Sequence, residues 1–325
     1  MASSIGFSSW YQSPDPPNVI TFLPKGHRIA SEHLIEGRHV ARLININAQS
    51  KALALLAGRR RMRQRGRGVD FEEVRLYAPG DDVRSIDWRV TARSGEAHTK
   101  LFHEERERPV LVAVDLRPPM QFGSVNCFKS VLAARVASLL LWSALDRGER
   151  VGGMVFAGAD PQDVRPRRSR RAVLSMIGDM EQLGRQADPQ TTTDVPRFAD
   201  QLKQLQRITR PGSSLFLISD FHDGLDDASL DALRRLASHI QITAVAISDP
   251  LEQQLPSAGR YVVADDKGRY GLNTGDASLR KRYAEAFALH QTTLTQRYQR
   301  FRIPVIGLST DSAPLPVLQR YFPAR

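Results

Sequence analysis

After residue 109 the chain alternates between runs of apolar residues and segments with helical periodicity. Residues 110–114 read VLVAV and are followed by Asp115, which is typical of a strand buried on both faces of a parallel sheet. Similar runs predict strands at residues 151–157, 214–219, 242–247 and 304–308, and a hairpin at residues 261–272. Helical periodicity predicts helices at residues 128–145, 168–183, 194–208, 226–240 and 277–301, the third capped by Thr193 or Asp194.

This alternation predicts an α/β fold, in which a doubly wound, mainly parallel sheet is covered by helices on both faces. We divide the chain into a tail at residues 1–27, an N-terminal helical and β-containing signature region at residues 28–107, and the α/β domain at residues 108–325. Ligands of such sheets bind at the carboxyl ends of the strands. Asp115 and Asp220 lie at two of these ends, so this edge is a candidate site.

The composition and the absence of a long apolar segment favour a folded protein without a membrane span. Hydrophobic residues make up 41% of the 325 residues and charged residues 25%. No apolar, uncharged window reaches about 20 residues, so we expect no transmembrane helix. The first basic residue is Lys25, which disfavours a secretory signal. The single cysteine, Cys127, excludes an internal disulfide, and we expect a cytoplasmic protein.

Several enzyme motifs are absent from the sequence. It has no G-x-G-x-x-G after the first strand, no P-loop and no nucleophile elbow. A dinucleotide-binding enzyme, a P-loop NTPase and an α/β-hydrolase are therefore disfavoured, and we expect no cofactor and no bound metal ion.

The formal net charge is +11, and arginines in two runs contribute much of it. Such runs bind phosphate backbones without reading sequence, or attract an anionic membrane or an acidic protein face. No nucleic-acid-binding motif accompanies them, so a protein partner is favoured over nucleic acid, and peripheral membrane contact stays open. The second run is residues 165–171, and the first run, residues 59–67, contains Arg59, Arg60, Arg61, Arg63, Arg65 and Arg67.

The most distinctive segment is residues 68–88, GVDFEEVRLYAPGDDVRSIDW. Asp81, Asp82 and Asp87 are either acids or metal ligands of a hydrolase, or turn and ion-pair residues. The structural interpretation is favoured, because PGDD is good turn chemistry and arginines are interleaved with the acids. Trp88 is expected to be buried as a packing anchor.

This segment resembles the signature of the bacterial family called domain of unknown function 58. The matching positions are Gly68, Phe71, Arg75, Tyr77, Gly80, Asp81, Asp82, Arg84, Ile86, Asp87, Trp88, Ala92, Arg93 and Glu104. The resemblance extends over most of residues 30–325 and implies a von Willebrand factor A-like domain joined to the signature region. It also implies a MoxR-type AAA+ ATPase as partner, because members are commonly encoded beside such ATPases.

An A-like domain implies a metal-ion-dependent adhesion site, which the sequence keeps only in part. The usual pattern is D-x-S-x-S after the first strand, a threonine before the third helix and an aspartate after the fourth strand. Asp115, Thr193 and Asp220 match, whereas Arg117 and Pro119 replace the two serines. Without the hydroxyls we expect no tight Mg²⁺ binding. We expect Arg117 to take the place of the metal and to bridge Asp115 and Asp220.

These observations favour a non-enzymatic scaffold or adaptor that binds a protein, with the degenerate adhesion site in the binding surface. Two alternatives from other classes stay open. One is a nucleic-acid-binding module that uses residues 59–67 and 165–171, and the other is a hydrolase that uses Asp81, Asp82 and Asp87.

Overall fold

The computed structural model describes residues 23–47, 71–78, 83, 86–102, 108–187, 195–265 and 268–324. The N-terminal elements are two short helices and a small β unit. The helices are α1 (Ser31–Glu36) and α2 (Arg38–Ala41). In the β unit, strand β1 (Phe71–Leu76) is followed by helix α3 (Trp88–Ser94) and by strand β2 (His98–Phe102), which pairs antiparallel with β1.

A six-stranded sheet lies at the centre of the α/β domain. The strands after β2 are β3 (Val110–Asp115), β4 (Val151–Phe156), β5 (Gln162–Arg167), β6 (Ser214–Ser219), β7 (Gln241–Ser248), β8 (Arg260–Asp265), β9 (Gly268–Asn273) and β10 (Val305–Ser309). Strands β8 and β9 form the predicted hairpin. The other six form one sheet of order β10-β7-β6-β3-β4-β5, in which only β5 runs antiparallel to its neighbour.

Helices cover both faces of this sheet, which confirms the predicted α/β architecture. The helices after α3 are α4 (Lys129–Asp146), α5 (Arg170–Gln186), α6 (Phe198–Ile208), α7 (Asp227–Ala237), α8 (Pro250–Gln253), α9 (Ala277–Arg300) and α10 (Pro314–Tyr321). Helices α4, α5 and α10 pack with α1 and α2 on one face, and α6, α7 and α9 pack on the other. Along β3, successive residues contribute to the two cores alternately, because side chains of a strand point to opposite faces. No helix in the described ranges combines the length and the apolar character that crossing a bilayer requires.

Helix α4 is buried on almost every side, as its apolar sequence predicts. Its polar side chains reach back to the N-terminal helices: Ser138 Oγ and Trp142 Nε1 both donate to the carbonyl of Leu34, the second at 3.2 Å. Ser143 Oγ donates to the carbonyl of Ile44 at 2.9 Å. Residues 31–46 therefore share the core of the α/β domain, while the division of the chain at residue 108 stays a prediction.

Strand β5 and helices α3, α8 and α10 were not predicted from the sequence, and helix α6 begins later than predicted. Strand β5 takes up part of the second arginine run, and α10 follows the last strand. Helix α6 begins at Phe198 after Arg197, which makes no side-chain cap, so the predicted start at residue 194 is wrong. The predicted caps, Thr193 and Asp194, lie outside the described residues. Pro196 explains the difference, because a proline disfavours helical backbone at the residue before it.

The predicted burial of Trp88 is also wrong, since its side chain is 68% exposed. Trp88 is the first residue of α3, in which none of the residues is buried. Hydrogen bonds hold this short helix instead: the Asp87 carboxylate accepts from the backbone N–H of Arg89 and of Val90, at 3.0 and 3.2 Å. An N-cap of this kind anchors the start of a helix without burying apolar area.

The close approach of β4 to β3 yields a stability prediction. A Cβ atom at Gly153 would lie 1.9 Å from the carbonyl oxygen of Val112, so the strands must separate to admit it. We expect Gly153→Ala to lower the free energy of unfolding by about 1–3 kcal/mol or more, measured by urea denaturation. Gly307→Ala is the matched control, because nothing lies within 4 Å of a Cβ there. Equal stability of the two variants would contradict the packing.

Candidate functional site at the carboxyl edge of the sheet

The carboxyl ends of β3 and β6 meet at the centre of the sheet. The chain leaves β3 toward β4 on one side, whereas β6 lies on the other side of β3. A reversal of this kind leaves a crevice between the loops that follow the two central strands. Asp115 ends β3, and Ser219 and Asp220 end and follow β6, so polar side chains converge there.

The side chain of Arg117 occupies this crevice. Its Nη2 atom lies 2.8 Å from Asp115 Oδ2, and its Nε atom lies 3.0 Å from Asp115 Oδ1. The same guanidinium donates to both oxygens of Asp223, each at 2.8 Å. Arg117 is only 3% exposed, and an arginine fork that meets two carboxylates in this way is both strong and directional.

Buried neighbours fix the positions of the two carboxylates. Asp115 accepts a further hydrogen bond from Ser219 Oγ at 2.7 Å, and Asp223 accepts one from the backbone N–H of Phe198 at 2.9 Å. The Arg117 guanidinium carbon lies 5.3 Å from the centre of the Phe198 ring and 6.0 Å from that of Phe156, within cation–π range. Asp115, Asp223 and Arg117 are thus each held by contacts from elements other than their own.

Phe221 shapes the loop that carries Asp220 and Asp223. Its φ of 54° lies in the left-handed region, which a bulky residue rarely adopts. The ring is completely buried, with centroid distances of 5.6 Å to Phe198 and 5.4 Å to Tyr298. Aromatic packing therefore supports the strained turn, and the two acids on either side of Phe221 pair with different cations.

Lys129 provides the second buried cation. It is the first residue of α4 and is 2% exposed. Its Nζ atom lies 2.7 Å from Asp220 Oδ2 and 2.6 Å from Glu252 Oε1. The predicted bridge from Arg117 to Asp220 is therefore wrong: Arg117 does pair with Asp115, but its second partner is Asp223, because Lys129 already holds Asp220.

Burial and ion pairing shift the pKa values in opposite directions. Burial, assisted by the charge of Asp220, raises the pKa of Asp115 above its ordinary value, although Arg117 opposes the rise. Partial burial also raises the pKa of Asp223, but the hydrogen bonds and charge of Arg117 outweigh it and lower that pKa overall. Burial lowers the pKa of Lys129, whereas Asp220 and Glu252 raise it above its ordinary value. Both cations consequently stay charged at neutral pH.

A metal ion of the adhesion-site type does not fit this arrangement. The guanidinium of Arg117 lies between the carboxylates, and Pro119, in a tight turn at Pro118–Met120, brings no oxygen from its side chain. Thr193 lies outside the described residues. Within the described ranges no three His, Cys, Asp or Glu side chains group closely enough to hold a metal. Weak or absent Mg²⁺ binding stays a prediction.

Hydrogen bonds and a tight turn hold the loop between β3 and α4 in place. Asp249 accepts from the backbone N–H of Ser124 at 2.8 Å and from the hydroxyl of Thr310. A Cβ atom at Gly123 would lie 2.0 Å from the carbonyl oxygen of Cys127, so the loop closes tightly on itself. It nevertheless presents apolar side chains to solvent, with Phe122 38% and Val125 53% exposed.

Several predicted residues take no part in this site. Asp87 caps α3, in agreement with the structural interpretation of the signature. Arg75 lies in β1 opposite Thr99, and the backbone N–H of Tyr77 donates to the carbonyl of Ala97. The predicted residues outside the described ranges are Gly68, Gly80, Asp81, Asp82, Arg84 and Glu104 of the signature, together with residues 59–67.

Sequence reasoning missed Lys129, Asp223 and Glu252. Lys129 had a usable signal, because a lysine that begins a helix buried on all sides needs a charged partner. Asp223 and Glu252 had none, since each lies among other acids in a loop or short helix and more than 100 residues from its partner.

Loss of the Arg117 charge should destabilise the fold. In Arg117→Met, Asp115 and Asp223 lose their shared cation, and we expect a cost of about 3–5 kcal/mol in the free energy of unfolding. Arg197→Met is the control, because the Arg197–Asp226 pair is exposed and should contribute about 1 kcal/mol or less. Chemical denaturation measures both, and a similar loss in the two variants would refute the central role of Arg117.

The low pKa of Asp223 predicts how stability depends on pH. An acid whose pKa is lower in the folded chain stabilises it above the unfolded value, about 3.9, and loses that contribution as pH falls through the folded value. Asp115, with a raised pKa, contributes the opposite slope. Asp223→Asn should therefore flatten the loss of stability between about pH 5 and pH 2. The exposed Asp231→Asn is the control, and an unchanged acid slope in Asp223→Asn would contradict the assignment.

Two solved structures are similar to this chain at low identity. They are a conserved hypothetical protein BatB from Bacteroides thetaiotaomicron (16% identity, TM-score 0.35, 60% of this chain and 98% of that one) and an aerotolerance-related membrane protein from Bacteroides fragilis (14% identity, TM-score 0.39, 66% of this chain and 98% of that one).

Two mycobacterial sequences are more similar. Uncharacterized protein Rv1480 of Mycobacterium tuberculosis and Uncharacterized protein Mb1516 of Mycobacterium bovis are each 30% identical over 261 residues, which cover 80% of this chain and 80% of theirs. The profile of a bacterial family matches residues 73–293. Since that match spans more than half of the chain, the protein belongs to the family described as Protein of unknown function DUF58, which confirms the family predicted from the signature.

Proposed function

We propose that this protein is a non-enzymatic adaptor that docks a protein partner at the carboxyl edge of its sheet. The partner is a MoxR-type AAA+ ATPase, as the family resemblance implies, and the work of the pair is assembly or maturation of other proteins. We propose a cytoplasmic location for the complex, because such a partner consumes ATP. The α/β domain is of the von Willebrand factor A type, supported by the central position of β3 and by the acids at the ends of β3 and β6.

The observation that carries the proposal is an exposed apolar pair on a rigid loop. Phe122 and Val125 project from the loop after β3, and Asp249 and the tight turn at Gly123 hold that loop from below. Apolar and aromatic side chains on a preorganised surface are the usual anchors of a protein interface, because they bind without a large loss of conformational entropy. Loops fixed by a sheet carry binding residues for the same reason.

The loop after β6 contributes polar groups to the same edge of the sheet. Exposed His222 follows Asp220 on the next loop, and His290 of α9 lies close enough to His222 for their charges to interact. Burial lowers the pKa of His290 below its ordinary value, and His222 lowers it further, while Asp220 opposes the shift. An apolar centre with a polar rim is the composition expected of a docking surface.

The charges beneath the surface favour binding over catalysis. A general acid or base must reach a substrate proton, whereas Asp115, Arg117 and Lys129 are each at most 3% exposed and neutralise their neighbours. Of the three acids that the hydrolase alternative requires, Asp87 has a structural role, because its carboxylate caps α3.

A binding measurement with the purified MoxR-type ATPase of the same organism tests the proposal. Phe122→Ser with Val125→Ser should weaken the affinity about tenfold or more, since truncation of central apolar anchors has effects of that size. Leu174→Ser is the matched control, because Leu174 is 44% exposed on α5, on another side of the domain. Circular dichroism should be unchanged in both variants.

Two results would count against the proposal. Equal weakening in Leu174→Ser would place the partner elsewhere, and no binding by the parent protein, with or without ATP, would remove the ATPase as partner.

A further inference from the structure

A cleft of about 460 Å³ lies at the opposite, amino edge of the sheet. Helix α4 begins with Lys129 at the carboxyl edge and ends with Asp146 at the cleft, so its 18 residues separate the two places by roughly 27 Å. Arginines and a histidine from two separate segments line the cleft: Arg38 and His39 of α2, and Arg168 and Arg170 at the start of α5. Trp142 and Asp146 of α4 complete its wall.

The charge of the cleft is positive. The residues that line it include three arginines and one acid, Asp146. Arg38 Nε donates to His39 Nε2 at 3.1 Å, which orients the guanidinium of Arg38. In the described ranges no acid lies within ion-pair distance of Arg38 or Arg170, in contrast to the paired cations at the carboxyl edge.

The positive charges of these arginines repel one another, and this repulsion destabilises the folded chain. Arg170 and Arg171 begin α5, whose first turn contains no acid, and a helix N-terminus is already positive. Asp146 ends α4, where a negative charge is also unfavourable. An anion bound in the cleft would offset the first repulsion, and this placement of charge points to such a ligand.

We propose that this cleft binds a phosphate group carried by a larger molecule. Arginine forks match phosphate oxygens, which are denser in charge than a single carboxylate. The volume lies within the range of small-molecule sites, about 300–1,000 Å³, and exceeds what one inorganic phosphate would fill. The buried indole of Trp142 adds an apolar wall for the rest of the ligand.

The proposal accounts for part of the second arginine run. Strand β5 directs the run along the edge of the sheet as far as Arg167, and the turn before α5 brings Arg168 and Arg170 to α2. A phosphate of a soluble metabolite and a phosphate of a lipid headgroup share this chemistry, so the experiment separates the two sources.

Calorimetric titration with inorganic pyrophosphate, with adenosine diphosphate and with vesicles that contain phosphatidic acid tests the site. We expect saturable binding that falls about tenfold or more in Arg38→Gln with Arg170→Gln, because two charge-assisted hydrogen bonds are lost. Arg207→Gln with Arg300→Gln removes the same charge from two other helices and should change nothing. Binding of pyrophosphate or of the diphosphate without vesicles assigns a soluble ligand, and binding that includes vesicles assigns a lipid headgroup.

Fluorescence supplies an independent readout. With Trp10→Phe and Trp88→Phe, Trp142 is the only tryptophan left in the sequence, and its emission should change as pyrophosphate saturates the cleft. Phe122→Ser with Val125→Ser should leave this change intact, so the docking surface and the cleft can fail separately. The proposal is overturned if none of the three probes binds saturably, or if both arginine pairs reduce binding equally.

Discussion

The buried guanidinium of Arg117 joins the end of β3 to the loop after β6, and the carboxyl edge depends on it. Asp115 and Asp223 both lie within 2.8 Å of its terminal nitrogens, and each is held by a further donor from another element. Moving these charges out of water is costly, so the group is tolerable only when all of its members are present and hydrogen-bonded. The arrangement therefore specifies one geometry of the loops more than it adds net stability.

A second buried cation, next to the first, also links loops by pairing with carboxylates. Lys129 connects the start of α4 to Asp220 and Glu252, which belong to the loops after β6 and β7. Asp249 adds hydrogen bonds to the loop after β3 and to Thr310 beyond β10. Four strands thus end in loops that are linked by fixed internal contacts. A surface built in this way suits recognition, because its shape does not have to form on binding.

The two edges of the sheet differ in how far their charged side chains are buried and paired. At the carboxyl edge the two cations Arg117 and Lys129 are buried against carboxylates. At the amino edge the arginines around α2 and the start of α5 are solvent-accessible and face a single acid. Exposed charges attract ligands, whereas buried paired charges support shape, so the two ends are suited to different partners.

The sequence by itself determined the architecture, because burial leaves a local signature. Runs such as VLVAV predict strands buried on both faces, and their alternation with amphipathic segments predicts the layered sheet. The pairing of Arg117 with Asp115 was also predictable, since only one residue lies between them in the sequence. Family membership followed from a local signature as well.

Only the tertiary structure decided which charges pair over long distances. Asp223 lies 106 residues from Arg117, and Glu252 lies 123 residues from Lys129, so no local pattern distinguishes them from other acids. The exposure of Trp88 was decided in the same way, because an aromatic residue is buried only where other elements pack against it. Sequence patterns report which residues leave water, whereas the choice of partner depends on distances that exist only once the sheet has formed.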